Sequence, residues 1–359
     1  MRLFLIFSFF FSFQCSDENW FQTKCDQKCI FQLGSLDSNN LNLFPKNCSS
    51  ICADLVIDED SNLTEKELIP TFKNVKTIFG TIIISRTNLT SLKFLAGLVS
   101  LECDEIPSDS DYKSGFIDLL TFSRFQKNFC FNPNPKNGLK LYKDFEMTEI
   151  GMLKWTNTTC SVEVEMYKTF SNFNVPNLKN FNSSDPSEHK IYIQYDYFGI
   201  ISQNYVCFSL EETSSFYGAE NVVMSYQNQK YCDHSSSTVL GEQFCNVSEN
   251  ENIKNLEENC QRIFGILKIG PGDEKFVYKL KNVTWIYGQL IIENTNLTSI
   301  NFLNNLGFVI SFDNYWKRSS LQILQNKNLM EIKLPNLKKV LGECNPFVIT
   351  GNNGNFANF

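Results

Sequence analysis

Shifting the chain against itself by 208 residues lays Phe72–Val99 over Leu280–Gly307, and 15 of the 28 positions are identical without a gap. The same offset places Cys52 on Cys260, upstream of the matched block. A coincidence of that length is implausible, so the chain is a duplicated domain, with a period far beyond the ~20–50 residues of a simple repeat array. Each copy must therefore build its own core, and 42% hydrophobic residues in 359 supply enough apolar material for about two.

A shorter rhythm runs inside each copy. Val75, Ile78, Gly80, Ile82, Ile84, Leu89, Leu92 and Leu95 have the counterparts Val283, Ile286, Gly288, Leu290, Ile292, Leu297, Ile300 and Leu303. Alternation over GTIIIS and GQLIIE is strand-like, and T-N-L supplies a turn. The pattern restarts at Leu321–Ile323, Met330–Leu337 and Phe347–Ile349, giving coils of about 22–28 residues. A leucine-rich-repeat-like or parallel β-helix solenoid satisfies this, because each coil contributes a short strand whose inward residues stack on the next. Val175–Phe181 echoes Leu334–Val340 at an offset of 159, so the first copy holds an insertion of about 49 residues (208 − 159), within 100–163. The expected organisation is residues 1–16 leader, 17–212 first domain, 213–244 linker and 245–359 second domain.

The N-terminus reads Met1-Arg2 followed by an apolar run to Phe13, the pattern of a secretory signal peptide. No later run of about 18 uncharged apolar residues follows, which predicts a secreted chain without a membrane span. If Cys15 leaves with the leader, twelve cysteines remain: Cys25, Cys29, Cys48, Cys52, Cys103, Cys130, Cys160, Cys207, Cys232, Cys245, Cys260 and Cys344. In a reducing compartment the twin CxxxC pairs at 25/29 and 48/52 would suggest zinc; behind a leader they predict disulfides. Either the nested pairing Cys25–Cys52 with Cys29–Cys48 or the crossed one fits the spacing. Cys245 and Cys260 are expected to close their own loop, and spacing does not pair the remaining six. Sequons stand at Asn47, Asn62, Asn88, Asn157, Asn182, Asn246, Asn282 and Asn296. Chance would supply about six in so Asn-rich a chain, so their glycosylation is an expectation from compartment alone.

Three stretches together carry a family resemblance: C-x-x-I-x-G-x-L-x-I from Cys260 to Ile269, the I-x-G-x-L-x-I core from Ile286 to Leu303, and the closing L-P-N-L and N-P-F-V-I. They resemble the receptor L domain, the module of the ligand-binding lobes of insulin and EGF receptors. The paired, kinase-free arrangement is similar to the nematode insulin/EGF-receptor-like L-domain proteins. That resemblance implies two tandem, disulfide-stabilised, single-stranded right-handed β-helix domains and a peptide-binding sheet face. It covers nearly all of the second copy and the anchor of the first. The link between copies is short, where the growth-factor receptors place a long cysteine-rich module.

Chemistry is thinly provided. The acid pairs at Asp58-Glu59-Asp60, Asp109/Asp111, Glu163/Glu165 and Glu211-Glu212 do not recur between copies, so they read as solvated loop acids rather than a glycosidase pair. Asp109–Gly115 misplaces the glycine and glutamate of a calcium loop. The two histidines, His189 and His234, lie in loops without a nucleophile elbow. No catalytic residue, cofactor or metal is expected, and a net charge of −7 argues against nucleic acid. What remains is surface. With Leu290 and Ile292 inward, alternation turns Gln289, Ile291 and Glu293 outward, and Thr81, Ile83 and Ser85 in the first copy. An apolar residue at the same outward place in both copies is either covered or is a binding patch for an extracellular protein or peptide. The expected function is a secreted binder, a decoy or carrier for a peptide ligand, with a structural or adhesive glycoprotein as the alternative. The oligomeric state is not legible.

Overall fold

A computed structural model describes residues 18–103, 137–142, 146–166, 169–181, 190–195, 206–219, 223–225, 229–233, 237–248, 253–312, 319–342 and 346–353. The expected leader, Cys130, Cys344, Asn182, His189, His234 and the Asp109/Asp111 segment lie outside them.

The short strands pair in parallel, each with a strand from the next stretch of the chain. In copy one, a first ladder runs through Ile30–Phe31, Ser50–Ala53, Thr77–Phe79, Ser100–Glu102, Asn157–Thr158 and Asn180–Phe181. A second runs through Leu55–Ile57, Ile82–Ser85, Asn137–Tyr142, Ser161–Met166, Lys190–Tyr195 and Val223–Ser225. In copy two the two ladders share the long strands Arg262–Ile269 and Trp285–Glu293, preceded by Glu242–Val247, and then separate. Phe308–Ile310 and Lys339–Leu341 continue one, Leu321–Leu324 and Phe347–Thr350 the other. Thr238–Val239 adds an antiparallel edge, and none of these sheets closes on itself.

Register aligns the inward residues. Leu267 pairs with Leu290, Leu290 with Leu321, and Ile269 with Ile292 and Ile323 in the same order. Leu290 and Ile292 are wholly buried in the core of copy two, and Ile82 and Ile84 in that of copy one, as alternation predicts. The bend between the two ladders falls at Gly80 and Gly288, with φ of 127° and 143°. A Cβ at Gly288 would overlap the carbonyl oxygen of Gly265, and one at Gly80 that of Ala53, so only glycine lets adjacent strands turn this corner together. At the far corner of copy two, buried Asn326 accepts from Thr295 N–H at 2.9 Å and donates to Ile292 O at 3.0 Å. Asn352 repeats the donation to Ile323 O at 2.9 Å.

The insertion in copy one resolves into one additional step of every ladder. Thr158 lies between Leu101 and Phe181, while the equivalents Val309 and Val340 pair directly. Asn137–Tyr142 is the extra strand of the second ladder, and Glu149 the extra bridge between Ser91 and Asn172. The Cys103–Cys160 disulfide ties the added first-ladder step, Asn157–Thr158, to Ser100–Glu102 before it. The nested alternative holds at the N-terminus, with Cys25–Cys52 and Cys29–Cys48. Cys245–Cys260 closes as expected, and Cys207–Cys232 is a pairing that spacing alone did not yield.

The stretch 213–244, expected to be a linker, carries structure of its own. Val223–Ser225 extends the second ladder of copy one, and Gln229–Tyr231 pairs with Val206–Phe208. Before them stands a helix, Leu210–Gly218, here α1. Its Ser209 Oγ accepts the Glu212 N–H and the Glu212 carboxylate accepts the Ser209 N–H at 2.8 Å, a capping box. Glu212 also accepts the Val175 N–H at 2.5 Å, and burial, outweighing these bonds, raises its pKa. Stability from a raised carboxyl is fully present below the unfolded value and is lost as pH rises through the folded one. The stability of the natural chain minus that of Glu212→Gln should therefore fall from about pH 4.5 upward. Urea titrations across pH check this, and a flat or rising difference contradicts it.

Candidate ligand-binding face

Residues pointing away from the core on the second ladders form one registered row in each copy. In copy one it runs Val56, Ile83, Lys140, Glu163, and in copy two Lys268, Ile291, Gln322, Val348. Lys140 Nζ lies 3.0 Å from Glu163 and 5.5 Å from the centre of the Tyr142 ring. In copy two Lys268 Nζ lies 2.7 Å from Glu293, which stands next along the outward alternation from Ile291. Both copies thus present a lysine–glutamate pair beside the shared isoleucine.

The isoleucines themselves are not open. Ile83 is 3% exposed and Ile291 7%, so of the two readings offered by alternation, their burial agrees with cover. Thr81 and Ser85 are also buried, and Thr81 donates to Asp54 through both its amide and hydroxyl at 3.0 and 2.8 Å. Gln289 is buried at the corner with neither carboxamide atom hydrogen-bonded. Glu293, half-buried, is the one of the six that offers a charge to solvent. Among the described residues no cluster of His, Cys, Asp and Glu could hold a metal ion.

The outer face of the first ladder in copy two is occupied by copy one. Phe264, Trp285, Tyr287, Phe308, Ile310 and Leu341 all join the hydrophobic cluster that begins at Phe31, so the two copies share packed apolar surface. Ser214 on α1 lies 2.5 Å from the Tyr287 hydroxyl, and Arg262 Nη1 donates to both, at 2.8 and 2.5 Å. Arg262 Nε donates to Glu242 at 2.5 Å, and its guanidinium stacks 5.4 Å from the Trp285 ring. Burial pushes the Tyr287 phenol up to about 12, so it stays a neutral donor or acceptor at every working pH. Sequence reasoning missed this interface. The signal was present: outward first-ladder positions are Arg262, Phe264, Trp285 and Tyr287 in copy two, but Ser50, Cys52, Thr77 and Phe79 in copy one.

The sequons separate by environment. Asn47, Asn62, Asn88, Asn246 and Asn296 are exposed and Asn282 is half-buried, whereas Asn157 is half-buried in a ladder with its carboxamide nitrogen, the atom a glycan would occupy, donating to Thr156 Oγ1 at 3.0 Å and its oxygen accepting from Asn180 at 2.6 Å. A glycan needs that carboxamide free, so peptide mapping after enzymatic deglycosylation should find sugar at Asn88 and Asn296, equivalent sites in the two copies, and none at Asn157. Occupied Asn157 would contradict the register of its ladder.

The receptor L domain model matches residues 47–113 and 259–358, one region in each copy. The chain carries two receptor L domains. Protein irld-34 of Caenorhabditis elegans is 31% identical over 116 residues, which cover 29% of this chain and 28% of that protein. Receptor L domains are a ligand-binding, non-catalytic domain family. The matched part of the first L domain stops at 113, within the expected insertion, and the first ladder of copy one continues past it to Asn180–Phe181. Five disulfides, and the absence among the described residues of a helix long and apolar enough to cross a membrane, are consistent with an extracellular protein.

Proposed function

We propose that the chain is a secreted binding protein, taking an extracellular protein or peptide on the outward rows of its two L domains as a decoy or carrier. Each copy is on this reading a single-stranded right-handed β-helix, a reading that the parallel pairing of its short strands supports. The observation that carries the proposal is the L-domain match in both copies, each with a lysine–glutamate pair beside its outward isoleucine. Such a row suits a ligand of mixed charge, since exposed ion pairs contribute only about 0–1 kcal/mol to the fold and can be exchanged for ligand contacts.

A binding screen of the secreted, glycosylated chain against extracellular peptides and receptor ectodomains tests this. The double variant Lys140→Glu/Lys268→Glu serves as the surface probe, because replacing buried Ile83 or Ile291 by lysine would damage the fold itself. The expected result is a saturable partner bound at least about tenfold more weakly by the variant. A partner bound equally by both moves the function away from this row. The alternative, a structural or adhesive glycoprotein, is favoured by the burial of Ile83 and Ile291, and predicts that equal binding.

A further inference from the structure

The outer face of the first ladder is built differently in the two copies. In copy one the outward side chains that open each step are Ser50, Thr77, Ser100, Asn157 and Asn180, held in register from strand to strand. None is charged; Ser100 is buried, Asn180 exposed and the other three half-buried. Copy two has Arg262, Trp285, Phe308 and Lys339 at the corresponding places, and α1 lies against them, with Ser214 on Arg262 and the Tyr217 ring 5.9 Å from Lys339 Nζ. The row of copy one ends at Asn180, where α1 closes the copy, its Phe216 ring 5.6 Å from Phe173 and 6.0 Å from Phe181.

The backbone just before this row is equally regular. Lys76 N–H donates to Ser49 O, Val99 N–H to Lys76 O, Thr156 N–H to Val99 O and Lys179 N–H to Thr156 O, at 2.7, 2.7, 2.9 and 3.3 Å. The segments that pass this edge, 45–50, 73–77, 96–100, 153–157 and 176–180, contain Lys46, Lys73, Lys76, Lys154 and Lys179 and no acid, in a chain of net −7. All five lysines are exposed, and none forms an ion pair among the described residues. Lys76 lies across Gly97, its Nζ 3.4 Å from where a Cβ would stand, and so brings charge to the one segment without a lysine. Ladder strands are about 4.8 Å apart, so the lysines spread over four steps, roughly 19 Å. On the other flank of the row the charges balance: Glu102 accepts from Ser100 at 3.1 Å, and Lys24 Nζ lies 5.8 Å from the Phe79 ring centre.

We propose that this edge and face of copy one bind a sulfated linear polysaccharide of the glycosaminoglycan class. A straight column of lysines at a fixed step matches a polymer whose anions repeat along its length, and the adjoining row of hydroxyls and carboxamides offers donors and acceptors to sugar hydroxyls. The row presents no aromatic or aliphatic side chain of the kind that anchors a protein partner. The face lies on the first ladder and the proposed protein-binding rows on the second, so the two readings stand or fall separately.

The probe is a fluorescently labelled heparin hexasaccharide, titrated against the intact secreted chain at low and at physiological salt. Saturable binding is expected, weaker at the higher salt because the contacts are screened and displace counterions. Lys76→Ala/Lys154→Ala/Lys179→Ala should weaken it at least about tenfold. These substitutions avoid Lys46, whose neighbour Asn47 is an exposed sequon. Lys66→Ala/Lys275→Ala/Lys327→Ala removes the same charge from exposed positions elsewhere and should leave binding within about twofold. Asn180→Glu keeps every lysine, adds an acid at the exposed end of the row, and should weaken binding as well. Absence of saturable binding overturns the proposal. So do equal losses in the two triple variants, which would make the attraction one of diffuse charge. So does poly-glutamate of equal charge binding as tightly as the hexasaccharide, which would make an acidic polypeptide the occupant.

Discussion

Arg262→Ala should destabilise the chain by about 3 kcal/mol or more and split its unfolding into two transitions. The guanidinium is nearly buried between the copies, and its removal leaves Glu242, the Tyr287 hydroxyl and Ser214 without their shared donor. Breaking a buried, hydrogen-bonded charge cluster from one side costs about 3–5 kcal/mol, because the partners keep the desolvation penalty and lose the compensation. The partial exposure of Glu242 sets the expectation at the lower end. Arg262→Lys should recover little, since an ammonium cannot reach Glu242 through one nitrogen and Ser214 and Tyr287 through another while stacking on Trp285. Urea titration followed by tryptophan fluorescence reads both effects, Trp285 reporting the interface and Trp155 the core of copy one. A single transition with an unchanged midpoint would mean that the copies are coupled by something else.

Gly288→Val should be more damaging still, on the order of 4 kcal/mol, and is expected to abolish secretion of folded protein. Two costs add. The backbone at φ 143° is a region that a β-branched residue scarcely enters, and the new Cβ would meet the carbonyl of Gly265, which is itself held in the ladder and cannot withdraw. Gly272→Ala is the control, because it too has positive φ, at 91°, but nothing within 4 Å of its Cβ; it should lose only about 1–2 kcal/mol. Secreted yield and thermal midpoints of the two variants separate crowding from conformational strain, and equal losses would contradict the corner argument.

The duplication was legible because the residues it repeats are those the ladders need most: Gly80 and Gly288 at the bend, Ile82/Ile84 and Leu290/Ile292 in the core, Cys52 and Cys260 at the anchor. The insertion was legible in length from two offsets, but not as one added step, since Asn137–Tyr142 and Thr158 carry no counterpart to align with. Cys207–Cys232 escaped for the same reason. It belongs to the closing segment around α1, which lies outside the blocks that the two offsets align. At the outward row, alternation placed Ile291 correctly relative to Leu290 and Ile292, yet period alone cannot say whether an outward side chain meets water or another part of the chain. The interface around Arg262 shows the same limit. Its aromatic outward positions are ordinary strand residues until α1 is seen lying across them.

Peptide mapping of the unreduced protein tests the central claim, two stacked-ladder copies with one added step and a sealed first end, most directly. The register requires Cys25–Cys52, Cys29–Cys48, Cys103–Cys160, Cys207–Cys232 and Cys245–Cys260. These five linkages tie the N-terminal strands, the added first-ladder step to the one before it, the closing segment and the start of copy two. Recovery of all five supports the ladder order. A crossed pair at 25/29/48/52, or Cys103 bound anywhere but Cys160, would contradict it.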